Sequence, residues 1–392
     1  MLSGAVSLRA QEPADIAPLR GPGLLCAPMT SHATRYEVFL RDGAPEAGLR
    51  ELAGWIGEHR ALLVTTPTVR ARWGQALAAL DGPRVHLVEL CCDEQRKDLA
   101  HVERLCAEAV RARLGRRDLI VAVGGGVCTD LCTMAASLYK RGIRHLRVPT
   151  TLVGQVDASI GVKGAVNFRG LKSHLGCFYA PWRVLVLPAF LASLPARRLR
   201  EGLAEIVKIA LVRDPALFDL VERHGPSLLA AGFQAPPAVA WEVLERASLR
   251  MIEELQPNLF EDRTYERLVD FGHTFSVPLE PATGHTLSHG EAVAVDMALS
   301  MEIAALLGLA PPALRDRVLA LLGALGLPSW SERLDLDLCR QALEQAAAHR
   351  GGRPNLVLPI EVGRAVFLTS ATVLKPTLLE AALRRLRLAA ES

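Results

Sequence analysis

Several sequence features that mark specialised classes of protein are missing from this chain. No apolar run reaches about 18 residues, so the sequence predicts no transmembrane helix. The amino terminus lacks a basic stretch that leads into an apolar one, and we therefore expect no signal peptide. No basic run with interleaved aromatic residues is present and the formal net charge is only +3, so nucleic acid is not an expected partner.

The eight cysteines do not form a recognisable disulfide or metal-binding framework. None belongs to a CxxC pair, and their spacing does not suggest a zinc knuckle. Most of them lie in apolar segments, which is typical of buried, reduced thiols. These observations predict a cytoplasmic protein.

The length of 392 residues and the apolar fraction of 50% predict a globular chain with two domains. Residues 1–34 are rich in Ala, Pro, Gly and Arg without a clear period, so we expect a flexible amino-terminal extension. From Tyr36 onwards short apolar runs alternate with helical patterns, which predicts a mostly parallel sheet with helices on both faces over residues 35–188. The predicted strands are 61–65, 84–90, 119–123, 146–149 and 184–187, and the predicted helices include 70–80 and 97–114.

The sequence pattern changes after about Pro188. Long amphipathic segments follow one another, so residues 189–392 are predicted to form a second, mostly α-helical domain. A ligand is expected in the cleft between the two domains, at the carboxyl ends of the strands. The predicted helices are 196–212, 238–254, 289–307, 312–325 and 336–349.

Three consecutive glycines lie between a predicted strand and a predicted helix. The segment Val121–Asp130 reads VAVGGGVCTD and contains Gly124, Gly125 and Gly126. Because these residues lack Cβ atoms, a phosphate-bearing ligand can approach the backbone and meet the free N–H groups of the helix. A glycine triplet also occurs in simple turns, so the motif needs support from the rest of the sequence.

Further polar residues could complete a nucleotide site. Asp130 follows the glycines, and Thr150 and Thr151 offer hydroxyl groups near the same strand ends. Glu94 and Lys97 follow a predicted strand and could bind ribose hydroxyls. Considered alone, these last two residues are typical of an ordinary helix start.

One carboxylate and two imidazoles form a candidate metal site. Glu205 lies in the apolar segment GLAEIVKIAL, where a carboxylate is unfavourable unless it is paired or binds a cation. His273 in DFGHTF and His289 in SHGEAV complete a set that is typical of catalytic zinc, although each histidine alone could be structural. His285 is an alternative ligand, but we expect it at the rim because it lies before the start of the next predicted helix.

A glycine-rich polar segment, DASIGVKGAVNFRGLKS, carries Asp157, Lys163, Asn167 and Lys172. Lysines in such a segment fit a phosphate group, although a solvated loop would show the same composition. Lys208 follows the candidate metal carboxylate by three residues and shares its predicted helix face. It could form an ion pair there or hold a substrate hydroxyl.

The chain resembles the sugar phosphate cyclase superfamily, whose founding member is dehydroquinate synthase. The resemblance rests on VPTTLVGQVDASIGVKGAVN, GLAEIVK, DFGHTF and HGEAV in that order, and it extends from about Tyr36 nearly to the carboxyl terminus. It implies a Rossmann-like amino-terminal domain and a helical metal-binding domain, commonly as a homodimer. It also implies a zinc or cobalt ion and NAD, which the superfamily uses as a recycled catalyst.

The resemblance carries over to individual positions. Those that match metal ligands are Glu205, His273 and His289. Those that match NAD contacts are Gly125, Gly126, Asp130, Thr150, Thr151, Glu94 and Lys97, with Gly124 in the same turn. Those that match substrate contacts are Asp157, Lys163, Lys172 and Lys208.

Departures from dehydroquinate synthase point to a different substrate. Asp270 and Val277 replace an Asn and a His of the NLGHTFGH pattern, and Met251 and His349 lie where that enzyme carries substrate lysines. Loss of both cations argues against a carboxylate substrate. Together with Leu255, these residues resemble the cyclases that use sedoheptulose 7-phosphate, and Asp270 and His349 would contact the distal hydroxyls of that sugar.

The expected activity is therefore formation of a valiolone-type C7 cyclitol from sedoheptulose 7-phosphate with release of phosphate. The steps implied are transient oxidation by NAD, β-elimination, reduction and intramolecular aldol closure. Ser173 and Leu171 depart from most relatives beside a substrate lysine, so 2-epi-5-epi-valiolone and its epimer 2-epi-valiolone both stay open. Thr66 lies where an Asp normally meets the adenosine ribose, which implies an altered affinity for NAD.

Other activities remain as alternatives. Dehydroquinate synthase itself would act on a seven-carbon keto acid phosphate, and the cyclases that make the gadusol core differ at the positions of Asp270 and His349. An iron-type NAD-dependent polyol dehydrogenase shares the two-domain layout and the glycine turn, but it predicts an Asp with several His as ligands. A noncatalytic paralogue would be expected to have lost metal ligands, and this chain keeps all three.

Overall fold

The computed structural model describes residues 19–21, 24–26 and 34–391. Residues 1–35 and 36–392 form two separate compact units. Most of the predicted flexible extension lies outside the described residues. Its described part contains two short antiparallel strands, β1 (Leu19–Gly21) and β2 (Leu24–Cys26).

The second unit combines a parallel sheet with a helical assembly. Its strands are β3 (Glu37–Leu40), β4 (Ala61–Thr65), β5 (Val85–Glu89), β6 (Leu119–Gly124), β7 (Arg144–Pro149), β8 (Lys163–Phe168), β9 (Leu171–Phe178), β10 (Arg183–Val186), β11 (Leu356–Glu361) and β12 (Arg364–Leu368). Its helices are α1 (Pro45–Ile56), α2 (Pro67–Leu77), α3 (Leu99–Arg111), α4 (Gly126–Leu138), α5 (Ala196–Arg213), α6 (Pro215–Ala230), α7 (Pro237–Leu255), α8 (Ser276–Ala282), α9 (His289–Leu306), α10 (Pro312–Ala324), α11 (Leu336–His349) and α12 (Pro376–Glu391).

The sheet is doubly wound, as the alternating sequence pattern predicts. Its order is β3-β10-β7-β6-β4-β5, and all neighbours are parallel. Successive residues of β4 face opposite sides: Leu62 and Val64 join one buried cluster, and Ala61 and Leu63 join the other. After β5 the chain crosses to the other side of β4 to form β6. This reversal opens a crevice at the carboxyl ends of β4 and β6, where ligands of such sheets bind.

The polar segment that could have been a solvated loop forms an antiparallel hairpin, β8–β9. Lys163 begins the first strand and Lys172 lies near the start of the second, so the two lysines occupy opposite ends of the hairpin. The buried Arg147 fixes the beginning of this hairpin. Its guanidinium donates to the carbonyl oxygens of Gly161 (2.6 Å) and Lys163 (3.0 Å) and to Thr133 Oγ1 on α4 (2.8 Å).

The helical part surrounds α5 and α9, which are buried on nearly all sides. Gly290 allows these two helices to touch, since a Cβ at this position would lie 2.4 Å from Glu201 Cα. The five predicted helices are confirmed to within two residues, but α6, α8, α12 and the β11–β12 hairpin were not predicted. The predicted boundary at residue 188 stays a prediction, because residues 36–392 form one compact unit.

No described helix combines the length and the apolar character that crossing a bilayer requires.

Candidate active site

The glycine turn lies at the crevice of the sheet. Strand β6 ends at Gly124, Gly125 is the N-cap residue, and α4 begins at Gly126. A Cβ on Gly124 would lie 2.7 Å from Cys128 Cβ, and one on Gly125 would lie 3.0 Å from Thr151 Cγ2. The turn therefore has no room for side chains at its first two glycines, and the first N–H groups of α4 suit an anion.

The threonines surround this turn. Thr150 donates its backbone N–H to the Gly124 carbonyl (3.0 Å), and Thr151 Oγ1 accepts from the N–H of Gly154 (3.2 Å). On the β4 side, Thr66 caps α2, and its Cγ2 is 3.6 Å from the position of a Cβ on Gly124. Thr66 therefore lies at the mouth of the crevice.

Lys97 connects the glycine-turn helix to the hairpin. Its Nζ lies 2.6 Å from Asp130 Oδ2 and 3.4 Å from Ser173 Oγ. Burial disfavours its charge, but the carboxylates of Asp130 and Glu94 raise the pKa of Lys97. Lys97 is therefore a buried cation at working pH. Neither Glu94 nor Lys97 belongs to the next α-helix, which begins at Leu99.

Asn167 lies on the nucleotide side of the hairpin. Its Nδ2 donates to the backbone oxygen of Glu94 (2.8 Å) and to Glu94 Oε1 (3.0 Å), and its Oδ1 accepts from the N–H of Ser173 (2.8 Å). Asn167 thus joins the Glu94 segment to the start of β9, and none of these contacts is with a candidate metal ligand.

The three candidate metal ligands converge from separate elements. Glu205 lies on α5, His289 begins α9, and His273 lies in the loop before α8. One donor atom from each residue lies within 4.8 Å of the others, an arrangement that could hold a metal ion. His289 Nε2 is 3.0 Å and His273 Nε2 is 3.9 Å from Glu205 Oε1. His285 is exposed, as predicted.

The donor set fits a divalent cation. Both oxygens of the fully buried Glu205 carboxylate lack a hydrogen bond of good geometry, and the Lys208 ammonium beside Oε2 balances its charge, so the carboxylate retains lone pairs for a metal ion. Burial and the nearby Lys208 cation lower the pKa of His273 to about 3, so its imidazole is neutral, as a metal ligand must be. One carboxylate and two imidazoles are ligands that zinc accepts, with a position left for substrate.

Lys208 lies between two carboxylates. Its Nζ is 2.5 Å from Glu205 Oε2 and 2.8 Å from Asp157 Oδ2. Of the two roles that the sequence allowed for Lys208, an ion pair or a contact with a substrate hydroxyl, this structure shows the ion pair. Burial opposes the charge of Lys208, but Asp157 and Glu205 raise its pKa. Burial also raises the pKa of Asp157 despite this pairing.

Two carboxylates that the sequence analysis missed support the histidines. Glu280 Oε1 lies 2.8 Å from His289 Nδ1, and Glu280 Oε2 lies 2.5 Å from Lys172 Nζ. Asp296 Oδ2 accepts the backbone N–H groups of residues 274, 275 and 276, directly after His273 (2.8, 2.5 and 2.9 Å). Burial would raise the pKa of Glu280, but the charges of His289 and Lys172 lower it to about 2.

A second group of charges surrounds Asp270. Arg267 donates to Asp270 Oδ1 (2.8 Å), and Arg350 Nε is 3.6 Å from Asp270 Oδ2. Arg350 also donates to the carbonyl of His273 (3.2 Å), which joins this group to the candidate metal loop. Burial and the cations of Lys163 and Arg350 lower the pKa of His349, which ends α11 beside them.

Lys163 belongs to the same group. It forms an ion pair with Glu261, and Glu261 also pairs with Arg267. Met251 and Leu255 are neighbours on α7; Met251 is buried in the helical core, and Leu255 Cδ1 is 3.5 Å from the position of a Cβ on Gly161. Leu255, Asp270 and His349, three of the residues that separate this chain from dehydroquinate synthase, thus lie around the end of the hairpin that carries Lys163.

Two family models match consecutive parts of the chain: 3-dehydroquinate synthase N-terminal over residues 87–201 and 3-dehydroquinate synthase C-terminal over residues 202–347. A 2-epi-5-epi-valiolone synthase from Streptomyces glaucescens is 42% identical over 358 residues, which cover 89% of this chain and 91% of that protein. A second one, from Streptomyces albus, is 42% identical over 88% of this chain and 87% of its own length.

A solved structure shares the whole fold. It is ValA, the 2-epi-5-epi-valiolone synthase of Streptomyces hygroscopicus subsp. jinggangensis, with NAD+ and Zn2+ bound. It superposes with a TM-score of 0.87 at 40% identity, covering 92% of this chain and 99% of that chain. The expected fold, a Rossmann-like domain followed by a helical domain, is therefore confirmed.

Proposed function

The chain belongs to the 3-dehydroquinate synthase family of sugar phosphate cyclases, and on that basis we propose that it converts sedoheptulose 7-phosphate into a valiolone-type C7 cyclitol. The names of its relatives support 2-epi-5-epi-valiolone as the product, with 2-epi-valiolone as the alternative epimer. The observation that carries the proposal is that Glu280 contacts both Lys172 and His289. A cation of the hairpin therefore lies close to a proposed metal ligand.

We propose that NAD binds at the glycine turn, through Gly124, Gly125 and Gly126, and that Zn2+ or Co2+ binds Glu205, His273 and His289. The remaining proposed NAD contacts are Asp130, Thr150, Thr151, Glu94 and Lys97. When bound, the nucleotide accepts and returns a hydride and the metal ion acidifies a substrate hydroxyl.

The side chains of this protein bind and orient the sugar phosphate. Lys163 and Lys172 provide positive charge for the phosphate, which leaves during the reaction. Lys208 donates to a substrate hydroxyl while its charge balances two buried carboxylates. Asp157 accepts from a second hydroxyl. Once phosphate has left and the ring has opened, the enclosed chain is held for intramolecular aldol closure, where effective molarity lowers the barrier.

Asp270 and His349 are the proposed determinants of the C7 sugar. Asp270 accepts from Arg267 and lies near Arg350, so its carboxylate is fixed for contact with a distal hydroxyl. A carboxylate substrate, as in dehydroquinate synthase, would instead meet Asp270 and find the buried Met251 where a lysine is needed.

We further propose a cytoplasmic homodimer.

The test uses the full chain loaded with zinc or cobalt, sedoheptulose 7-phosphate and sub-stoichiometric NAD. We expect more phosphate released than NAD supplied, no net NADH, and a new C7 cyclitol whose ring coupling constants in the NMR spectrum identify the epimer. Stoichiometric NADH would instead indicate a polyol dehydrogenase. Turnover of a seven-carbon keto acid phosphate alone would indicate dehydroquinate synthase, and a gadusol core product would indicate that type of cyclase.

A further inference from the structure

Glu280 is buried between two functional groups that come from different elements. It lies on the short helix α8 with about 4% of its surface exposed. Oε1 accepts from His289 Nδ1 at the start of α9, and Oε2 accepts from Lys172 on β9. Each carboxylate oxygen thus has one partner, one from the β8–β9 hairpin and one from α9.

The His289 contact fixes which imidazole nitrogen can bind a metal ion. A carboxylate can only accept a hydrogen bond, so Nδ1 keeps its proton for Glu280. Nε2 lies 3.0 Å from the Glu205 carboxylate and carries a proton without a metal ion; it is the nitrogen that can release its proton and bind one. A carboxylate behind a ligating histidine raises its basicity and strengthens metal binding. Any change in the negative charge that Glu280 offers to His289 therefore changes the metal affinity.

The Lys172 contact makes that charge depend on the hairpin. In this structure Lys172 Nζ lies 2.5 Å from Glu280 and neutralises part of its charge. A phosphate that binds Lys172 competes for the same ammonium group. When phosphate draws Lys172 away, the full charge of Glu280 is available to His289.

We propose that Glu280 is a positioning residue that couples occupation of the phosphate site to the strength of the metal site. This inference deepens the proposed function, since it takes Lys172 as the phosphate cation and His289 as a metal ligand. Phosphate and metal then bind cooperatively through one shared carboxylate. The metal is held most firmly while the phosphorylated substrate is present.

The experiment measures zinc affinity of the full chain by chelator competition, with and without saturating inorganic phosphate. For the wild type we expect phosphate to tighten zinc binding by about fivefold or more, within the usual range of coupling between sites. For Glu280→Gln we expect zinc binding to weaken about tenfold or more in the absence of phosphate. The effect of phosphate on zinc should fall to less than half of its wild-type value, leaving only direct attraction between the two ions.

Lys172→Met provides a second variant, since Lys172 is partly exposed and its loss leaves Glu280 paired with His289. It should bind zinc about as tightly as the phosphate-saturated wild type, roughly fivefold tighter than the phosphate-free wild type, and it should lose the response to phosphate. Glu291→Gln is the matched control, because Glu291 also lies near His289 but pairs with Arg197. Glu291→Gln should keep the wild-type zinc affinity and the wild-type response of that affinity to phosphate.

Undiminished coupling in Glu280→Gln, or in Lys172→Met, would overturn the proposal. So would a wild-type protein whose zinc affinity does not respond to phosphate. These measurements need no turnover: coupling without reaction of sedoheptulose 7-phosphate would reject the proposed substrate and keep Glu280 as the link. Turnover without coupling would keep the proposed substrate and reject Glu280 as the link.

Discussion

Lys208 and Glu205 lie one helical turn apart on α5, and the Lys208 ammonium is 2.5 Å from Glu205 Oε2. Both side chains are buried, and Asp157 Oδ2 lies 2.8 Å from the same ammonium group. Without a metal ion, Lys208 is the nearest full positive charge that balances the two carboxylates. A residue proposed to hold substrate therefore also stabilises the fold.

Replacing this lysine by Met should destabilise the metal-free protein. Lys208→Met leaves Glu205 and Asp157 buried without their cation, and breaking such a pair lowers the free energy of unfolding by roughly 3–5 kcal/mol. Zinc supplies a replacement charge, so the loss should shrink in the zinc-loaded protein. Urea denaturation with and without zinc measures both values. Lys375→Met, at an exposed position, is the control, and equal stability of the two metal-free variants would contradict the prediction.

Removing the Asp296 carboxylate should disturb the loop that presents His273. Asp296→Ala leaves the buried N–H groups of residues 274–276 without their acceptor, which should lower the free energy of unfolding by at least about 3 kcal/mol. Zinc binding should weaken as well, because the loop no longer fixes its imidazole. Thermal unfolding and chelator competition test the two effects. Ser300→Ala, which keeps the carboxylate, should change both much less, and zinc affinity unaltered in Asp296→Ala would refute the link to His273.

Introducing a carboxylate at Thr66 should strengthen NAD binding. An acidic side chain at the end of this strand can accept both ribose hydroxyls, and Asp caps a helix at least as well as Thr. We expect Thr66→Asp to lower the Kd for NAD about tenfold, which corresponds to roughly 1.4 kcal/mol. Titration calorimetry gives the value, with Thr66→Ser as the control that keeps the cap. No difference between the two variants would show that Thr66 does not face the ribose.

A methyl group in the glycine turn should weaken the same site. At Gly124 the new Cβ would lie 2.7 Å from Cys128 Cβ, so the strand end and α4 must separate. We expect Gly124→Ala to raise the Kd for NAD about tenfold or more, or roughly 1.4 kcal/mol. Gly54→Ala serves as the control, since a Cβ on Gly54 has no neighbour within 4 Å. An unchanged Kd in Gly124→Ala would place the nucleotide elsewhere.

The elements of regular period could be predicted from the sequence. Strand β4 is predicted at its observed bounds because it is a fully buried apolar run between turn signals, and α11 is predicted at its bounds because its apolar stripe is clear. The hairpin β8–β9 was missed because its glycines and polar residues are typical of a loop. Helix α8 was missed because its seven residues include Pro278 and Pro281, which normally interrupt helices.

The carboxylates that support the two histidines could not be predicted from the sequence, whereas the proposed metal ligands could. Glu280 and Asp296 lie in no recognisable motif, and their partners come from elements that are distant in the sequence. One signal was available: the chain has only six lysines among 45 basic residues, and four of them, Lys97, Lys163, Lys172 and Lys208, lie around the site. A scarce residue type concentrated in a few motifs points to function more directly than spacing does.

The two strands of the β8–β9 hairpin are anchored to different helices. Arg147 ties the start of β8 to α4, and Lys172 ties β9 to α8 through Glu280. The tip of the hairpin is also held by Asn167, which contacts Glu94, and by Lys97, which contacts Ser173. A ligand that takes Lys172 from Glu280 removes the contact of the tip with α8, while the contacts of Asn167 and of Arg147 remain. Phosphate bound at the proposed Lys172 site should therefore change backbone hydrogen exchange at the tip, without any chemical step.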